Sequence, residues 1–197
     1  MIAILDYGSG NLRSAQRAFA TTGHDVAITS DLDVALKADG LVVPGVGAFA
    51  ACMNGINEIS AAEVIRARND AGKPTLGICI GMQILFSDGL EHGNHKGIGM
   101  WDGEVSQLDA PILPHMGWNT VEVTGSSKLF KGVEKESFYF VHSYAAKESS
   151  AANQTWSTYG ERFLSAVEDG YVSATQFHPE KSGDAGLALI KNWSRTL

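Results

Sequence analysis

The hydrophobic positions along the chain form short apolar runs that alternate with stretches of helical periodicity. Residues 2–5 are an apolar run closed by Asp6-Tyr7-Gly8-Ser9-Gly10-Asn11, after which Leu12, Ala15, Ala18 and Phe19 recur at helical spacing up to Gly23. Val26-Ala27-Ile28 predicts a second strand and Leu41-Val42-Val43 a third, which ends at Pro44-Gly45-Val46-Gly47. A helical pattern fills residues 48–71, broken near Gly55. Pro74 opens another apolar run into Gly77-Ile78-Cys79-Ile80-Gly81, and Met82, Ile84, Leu85 and Phe86 then continue at helical spacing around Gln83. That spacing predicts strand, abrupt turn, helix.

The texture changes in the second half. Residues 91–103 are glycine-rich and read as an irregular loop, whereas 120–123, 138–141, 163–167 and 171–177 read as strands, with a hairpin signal at Glu168-Asp169-Gly170-Tyr171. Residues 184–197 place Leu187, Ile190, Trp193 and Leu197 on one face of a closing helix. Strands alternating with helices predict an α/β three-layer sandwich with a central, mostly parallel sheet and added antiparallel strands toward the C-terminus, all in one domain, 1–197. In such sheets ligands collect at the carboxyl ends of the strands, so the loops at 7–11, 44–47 and 77–81 should share one edge.

Composition narrows the function. The chain is 44% hydrophobic and carries 15 Lys and Arg against 22 Asp and Glu, a formal charge of −7 without a basic cluster. Nucleic acid or an anionic membrane is therefore not expected as a partner, and a small molecule or a protein fits better. The first residues lack a basic leader and their apolar run is too short to span a bilayer. Two cysteines, Cys52 and Cys79, make no disulfide framework, which suits a cytoplasmic protein.

The candidate chemistry centres on Cys79. A residue on a sharp strand-to-helix turn is held in a strained conformation with its side chain above the sheet edge, and flanking glycines let neighbouring backbone crowd in. The helix start favours thiolate and offers N–H groups to an oxyanion, Ile80 N–H being the nearest. A buried, inert cysteine beside a helix is the bland alternative, and it is the reading given to Cys52. A thiol nucleophile needs a base and an orienting partner, and Gln176-Phe177-His178-Pro179-Glu180 supplies both if Pro179 keeps the segment extended, with His178 and Glu180 side by side. In Pro44-Gly45-Val46-Gly47 the glycines would let an N–H turn toward a ligand as a second oxyanion donor; phosphate binding is the rival reading, but the loop has neither G-x-G-x-x-G spacing nor a Lys-Ser/Thr ending. His92 and His95 lack a cysteine ligand nearby, so no metal site is expected.

With Pro-Gly-Val-Gly, Gly-Ile-Cys-Ile-Gly-Met-Gln and Phe-His-Pro-Glu in this order over its full length, the chain resembles the class I (triad) glutamine amidotransferases, whose fold is flavodoxin-like. The resemblance implies a glutaminase acting on L-glutamine without a cofactor. In it Cys79 attacks the amide, His178 transfers the proton and Glu180 orients His178. Ile80 with the Gly45-Val46 segment would hold the oxyanion, and Gly47, Gln83, Ser143 and Tyr144 the substrate. Asp6-Tyr7-Gly8-Ser9-Gly10-Asn11-Leu12, His115-Met116-Gly117-Trp118-Asn119 and Tyr139-Phe140-Val141-His142-Ser143-Tyr144 resemble the branch that passes ammonia to a (β/α)8 barrel cyclase subunit in a histidine-pathway heterodimer. Asn11, Trp118, Tyr139 and Lys181 would then lie near that interface. A Cys-His peptidase of similar fold, another amidotransferase's glutaminase subunit and a non-catalytic assembly subunit are the alternatives.

Overall fold

A strand buried on both faces is apolar at every position, and the three most apolar runs of the N-terminal half lie in the middle of one sheet. The computed structural model describes residues 1–197. Its first half contains β1 (Ile2–Leu5), α1 (Leu12–Ala20), β2 (Val26–Thr29), α2 (Leu32–Lys37), β3 (Gly40–Gly45), α3 (Phe49–Glu58), α4 (Ala61–Asp70), β4 (Thr75–Cys79) and the single turn α5 (Ile80–Gln83). Then come β5 (Phe86–Gly89), β6 (His95–Lys96), β7 (Trp101–Gln107), β8 (His115–Thr120), β9 (Glu122–Val123), β10 (Ser137–His142) and β11 (Tyr144–Ala146). The chain closes with β12 (Asn153–Tyr159), β13 (Glu161–Asp169), β14 (Val172–Thr175), a 3-10 turn (Pro179–Lys181) and α6 (Gly183–Ser194).

The large sheet has the order β2-β1-β3-β4-β14-β13-β12-β9. Its first five strands are parallel and the last three antiparallel, the change of direction coming at the β13–β14 hairpin. Helices α1 and α6 pack together in one outer layer, with Phe19 edge-on to Trp193 at 5.6 Å, while α2, α3 and α4 form the other. Asn11 and Asp31 cap α1 and α2 through their side-chain oxygens, which accept from Ser14 N at 3.3 Å and from Asp33 N at 2.8 Å. A smaller sheet (β11-β7-β5-β6) and the β8–β10 ribbon lie beyond the carboxyl ends of the parallel strands and build the walls of the site.

Arg68 of α4 is fully buried without a carboxylate partner. Its guanidinium instead donates to the carbonyls of Ala35, Leu36, Ala38, Asp39 and Pro74 and to Thr75 Oγ1, tying the end of α2 to the start of β4. Burial lowers its pKa to about 10, which leaves it a cation at neutral pH.

The structure departs from the expected pattern in five places. The helix after Cys79 is one turn long and Phe86 begins a strand; Met82, Ile84, Leu85 and Phe86 are all fully buried, and a run buried on every side carries no usable period. Gly55 does not break α3: it lies inside the helix because a Cβ there would collide with Tyr7 O, and the break comes at Ser60, whose φ is 57°. The 91–103 segment is not wholly irregular, since it contains β6 and the start of β7. Helix α2, strand β8 before Thr120, and strands β11 and β12 have no counterpart in the sequence reading. On the closing helix Ile190 and Trp193 are buried but Leu187 is exposed, so the apolar face is narrower than the spacing suggests.

Candidate active site

Strands β3 and β4 run side by side, Gly45 opposite Cys79, so the two loops that leave them are forced together. Three glycines make that contact possible. A Cβ on Gly81 would run into Val43 O, one on Gly77 would reach Gly81 O at 2.5 Å, and one on Gly45 would reach Gly81 N at 2.6 Å. The Gly-x-Cys-x-Gly frame is thus a steric requirement of the turn. Cys79 has φ 57° and ψ −112°, a conformation that costs a non-glycine residue on the order of 1–3 kcal/mol. The first N–H groups of α5, beginning with Ile80, follow directly and have no intrahelical acceptor.

Cys79 opens into a cavity of about 340 Å³. The structure brings Val46, Gly47, Ile80, Gln83, Ser143, Tyr144 and His178 to its lining, where the sequence reading groups them, and also Lys181, which that reading places at a partner interface. Glu180 stands behind His178: Nδ1 and Oε1 are 2.8 Å apart, and both side chains are buried. The pairing is made differently from the extended-segment expectation. His178 itself is extended, at φ −99° and ψ 97°, but Pro179 starts a 3-10 turn that swings Glu180 back onto the ring. Burial pushes the His178 pKa down, but Cys79 and Glu180 pull it up further, to about 9. The side-chain hydrogen bond found at Sγ comes from Gln176 Nε2, at 3.8 Å.

Gln83 projects from the turn after Cys79. Its Nε2 donates to Tyr144 O at 2.8 Å and to Gln176 Oε1 at 3.0 Å, while its buried Oε1 has no protein partner. Two acceptors around one end fix the amide orientation and leave an acceptor for a bound molecule.

The Gly45-Val46 peptide is engaged elsewhere. Its N–H, which belongs to Val46, donates to Ser9 Oγ at 3.1 Å, and Ser9 Oγ donates in turn to Val46 O at 2.9 Å. In this conformation the peptide is held by Ser9 instead of offering its N–H to an oxyanion at Cys79. Cys52 is buried against Ser9 Oγ at 3.2 Å, and burial raises its pKa, consistent with a packing role.

Asn11, Trp118 and Tyr139 lie outside the cavity. Trp118 is 59% exposed and so is not core; it pairs with Tyr139 across the β8–β10 ribbon, ring centroids 6.2 Å apart. Sequence reasoning missed four residues here. Glu91 lines the cavity as its one carboxylate, and its Oε2 accepts from Phe49 N at 2.8 Å at the start of α3. Gln176 joins Gln83 to Cys79, and Ser9 holds Val46. Ser182 Oγ donates to His178 O at 2.7 Å and accepts from Tyr139 N at 2.9 Å, anchoring His178. Gln176 stood beside His178 in a motif already singled out, Ser182 lies only four residues beyond His178, and Ser9 stood in the loop after the first strand, but the contacts of Ser9 and Glu91 span tens of positions and leave no local signal.

A cysteine on a strained turn, a His–Glu pair at the wall of the same cavity and an unpartnered amide acceptor are the groups that a cysteine-dependent acyl transfer requires. The chain belongs to the class-I glutamine amidotransferase family, whose model matches residues 3–195. Among curated proteins it is 58% identical over 197 residues to "Imidazole glycerol phosphate synthase subunit HisH" of Mycobacterium bovis, covering 98% of this chain and 96% of that one. It is 55% identical to the protein of the same name from Nocardia farcinica, over 100% of this chain and 98% of the relative. Among solved structures it is similar to "Crystal structure of glutamine amidotransferase", with TM-score 0.77 at 18% identity and 98% coverage of both chains. "Structure of PurLQS from Thermotoga maritima" gives 0.68 at 20% identity, covering 98% of this chain and 97% of that one.

Proposed function

We propose that this chain is the glutaminase subunit of an imidazole glycerol phosphate synthase, releasing ammonia from L-glutamine for a cyclase subunit of (β/α)8 barrel fold in histidine biosynthesis. The observation that carries the reading is the cavity itself: Cys79, His178 with Glu180 behind it, and Gln83 with an unpartnered acceptor meet in one space. Cys79 passes its thiol proton to His178 as Sγ attacks the side-chain amide carbon of glutamine, and the electron pair of the C=O moves to oxygen. Ile80 N–H receives that oxyanion, joined by the Gly45-Val46 N–H once it leaves Ser9; each such donor contributes about 3 kcal/mol to the transition state. His178 gives its proton to the amide nitrogen, the C–N bond breaks and ammonia leaves. Water then attacks the γ-glutamyl thioester, with His178 as base, and releases glutamate and the thiol. Glu180 holds the ring orientation throughout and stabilises the imidazolium.

Gly47 and the Ser143-Tyr144 segment form the wall for the glutamine head group, and Gln83 Oε1 accepts from it. The Glu91 carboxylate suits the α-ammonium, a pairing of opposite charges in a partly closed cavity. The exposed Trp118 and the half-buried Tyr139 beside it, with Asn11 and Lys181, face the cyclase in a heterodimer. No helix is long and apolar enough to cross a membrane, and both cysteines are unbridged, which fits the cytoplasmic setting we assign. Intact-mass analysis of the chain mixed with glutamine and rapidly quenched in acid tests this mechanism. A γ-glutamyl adduct on Cys79, lost in Cys79→Ala, is expected; turnover of glutamine by the Cys79→Ala protein would rule the mechanism out.

A further inference from the structure

Two buried histidines outside the triad form an ordered chain into the same cavity. His115 of β8 and His142 of β10 are directly opposed in register and are 3% and 5% exposed. His115 Nδ1 and His142 Nε2 are 2.9 Å apart, His142 Nδ1 is 2.9 Å from Tyr144 O, and Asn119 Nδ2 is 3.4 Å from His115 Nε2. The proton positions follow from the acceptor at the end. A carbonyl only accepts, so His142 carries its proton on Nδ1 and presents a bare Nε2. That nitrogen requires a donor, so His115 is also protonated on Nδ1, and its Nε2 accepts from Asn119.

The surroundings hold both rings in place. His115 is stacked between Tyr159, at 4.1 Å, and Phe140, at 4.9 Å, and the Asn119 amide that faces it is fixed on its other side by Thr158 O, at 3.0 Å. Burial pushes both pKa values down, His115 to about 4 and His142 to about 3, so both rings are neutral at physiological pH. The mechanism above uses neither ring.

Tyr144 O receives two donors, His142 Nδ1 and Gln83 Nε2. We infer that His115 and His142 are positioning residues for the glutamine subsite: their one-directional hydrogen bonds fix the Tyr144 carbonyl, and with it the Gln83 amide orientation that leaves Oε1 free for substrate. The inference rests on the glutaminase reading. On the opposite face of the same ribbon, Met116 and Trp118 are 61% and 59% exposed, so the strand that carries His115 also carries the surface offered to a partner.

The test uses the full chain assembled with a cyclase subunit, and compares His142→Leu, which removes the donor to Tyr144 O, with His142→Asn, whose amide nitrogen replaces Nδ1. The expected result is a KM for glutamine raised about tenfold in His142→Leu with kcat within about threefold of wild type, and a KM in His142→Asn restored to within about threefold. Equal losses in the two variants, tracking their unfolding midpoints, would mean a packing role only and overturn the proposal. A second readout does not depend on activity: nitrogen-15 NMR of the imidazoles in the wild-type chain should show both rings protonated on Nδ1, and an Nε2-protonated ring at either position refutes the lock. Cys79→Ala in the same assay checks the underlying function separately. If wild-type turnover does not need Cys79, the glutaminase reading fails and the tautomer measurement alone decides the lock.

Discussion

Glu180→Gln isolates what the buried carboxylate does for His178. In the native protein His178 sits 2.8 Å from Glu180 Oε1 and has a pKa of about 9, against an ordinary value of 6.5. At about 1.4 kcal/mol per tenfold, that gap corresponds to about 3 kcal/mol, shared by Cys79 and Glu180 after burial has been overcome. The sign follows from proton binding. The folded state holds the proton more tightly than the unfolded chain, so the stabilisation is complete below about pH 6.5 and is lost as pH rises to about 9. Gln keeps the shape and removes the charge, so the His178 pKa should fall and the stability lost across that window should shrink to about half or less. A hydrogen bond to a charged group is worth about 1.5–3 kcal/mol, so kcat should drop on the order of 10- to 100-fold. NMR titration of the His178 ring, with urea unfolding at about pH 6 and about pH 10, measures both effects. A ring that still titrates near 9 in Glu180→Gln would show that Cys79 alone sets the shift and would refute the assigned role.

Two further outcomes test other parts of the structure. Arg68→Met leaves the carbonyls of Ala35, Leu36, Ala38, Asp39 and Pro74 without their donor and should cost about 3–5 kcal/mol in urea unfolding, with the kcat/KM of the folded fraction unchanged; a loss below about 1 kcal/mol would mean that water replaces the guanidinium. Ser9→Ala removes the hydroxyl that holds both ends of Val46, and the glutaminase rate of the chain without its partner should rise about 3- to 10-fold, measured as glutamate release; an unchanged rate would show that Ser9 does not restrain the peptide.

What the sequence revealed follows from how local each feature is. Cys79 stood out because its flanking glycines answer a steric demand between adjacent strands, and Pro44-Gly45-Val46-Gly47 stood out for the other half of that demand. His178 and Glu180 are two residues apart, so their pairing was visible even though the turn that makes it was not. The one-turn helix after Cys79 was hidden because every residue around it is buried, which erases the amphipathic signal separating a helix from a strand. Ser9, His115 and His142 stood in motifs the sequence singled out, but their contacts, like those of Glu91, were not legible because each is made with a partner tens of positions away. Gly45 shows how the two levels combine. In the sequence this glycine reads as freedom for the peptide to turn, and in the structure it is also a steric need: a Cβ there would strike Gly81 N and Ile80, so a substitution would damage the turn itself.

The most direct test of the central claim is glutamate release from free glutamine by the purified chain, alone and then with a cyclase-type barrel subunit and its nucleotide ligand. Strong stimulation by the partner that disappears in Cys79→Ala is the predicted result. Full activity without the partner, or stimulated activity that survives in Cys79→Ala, would contradict it.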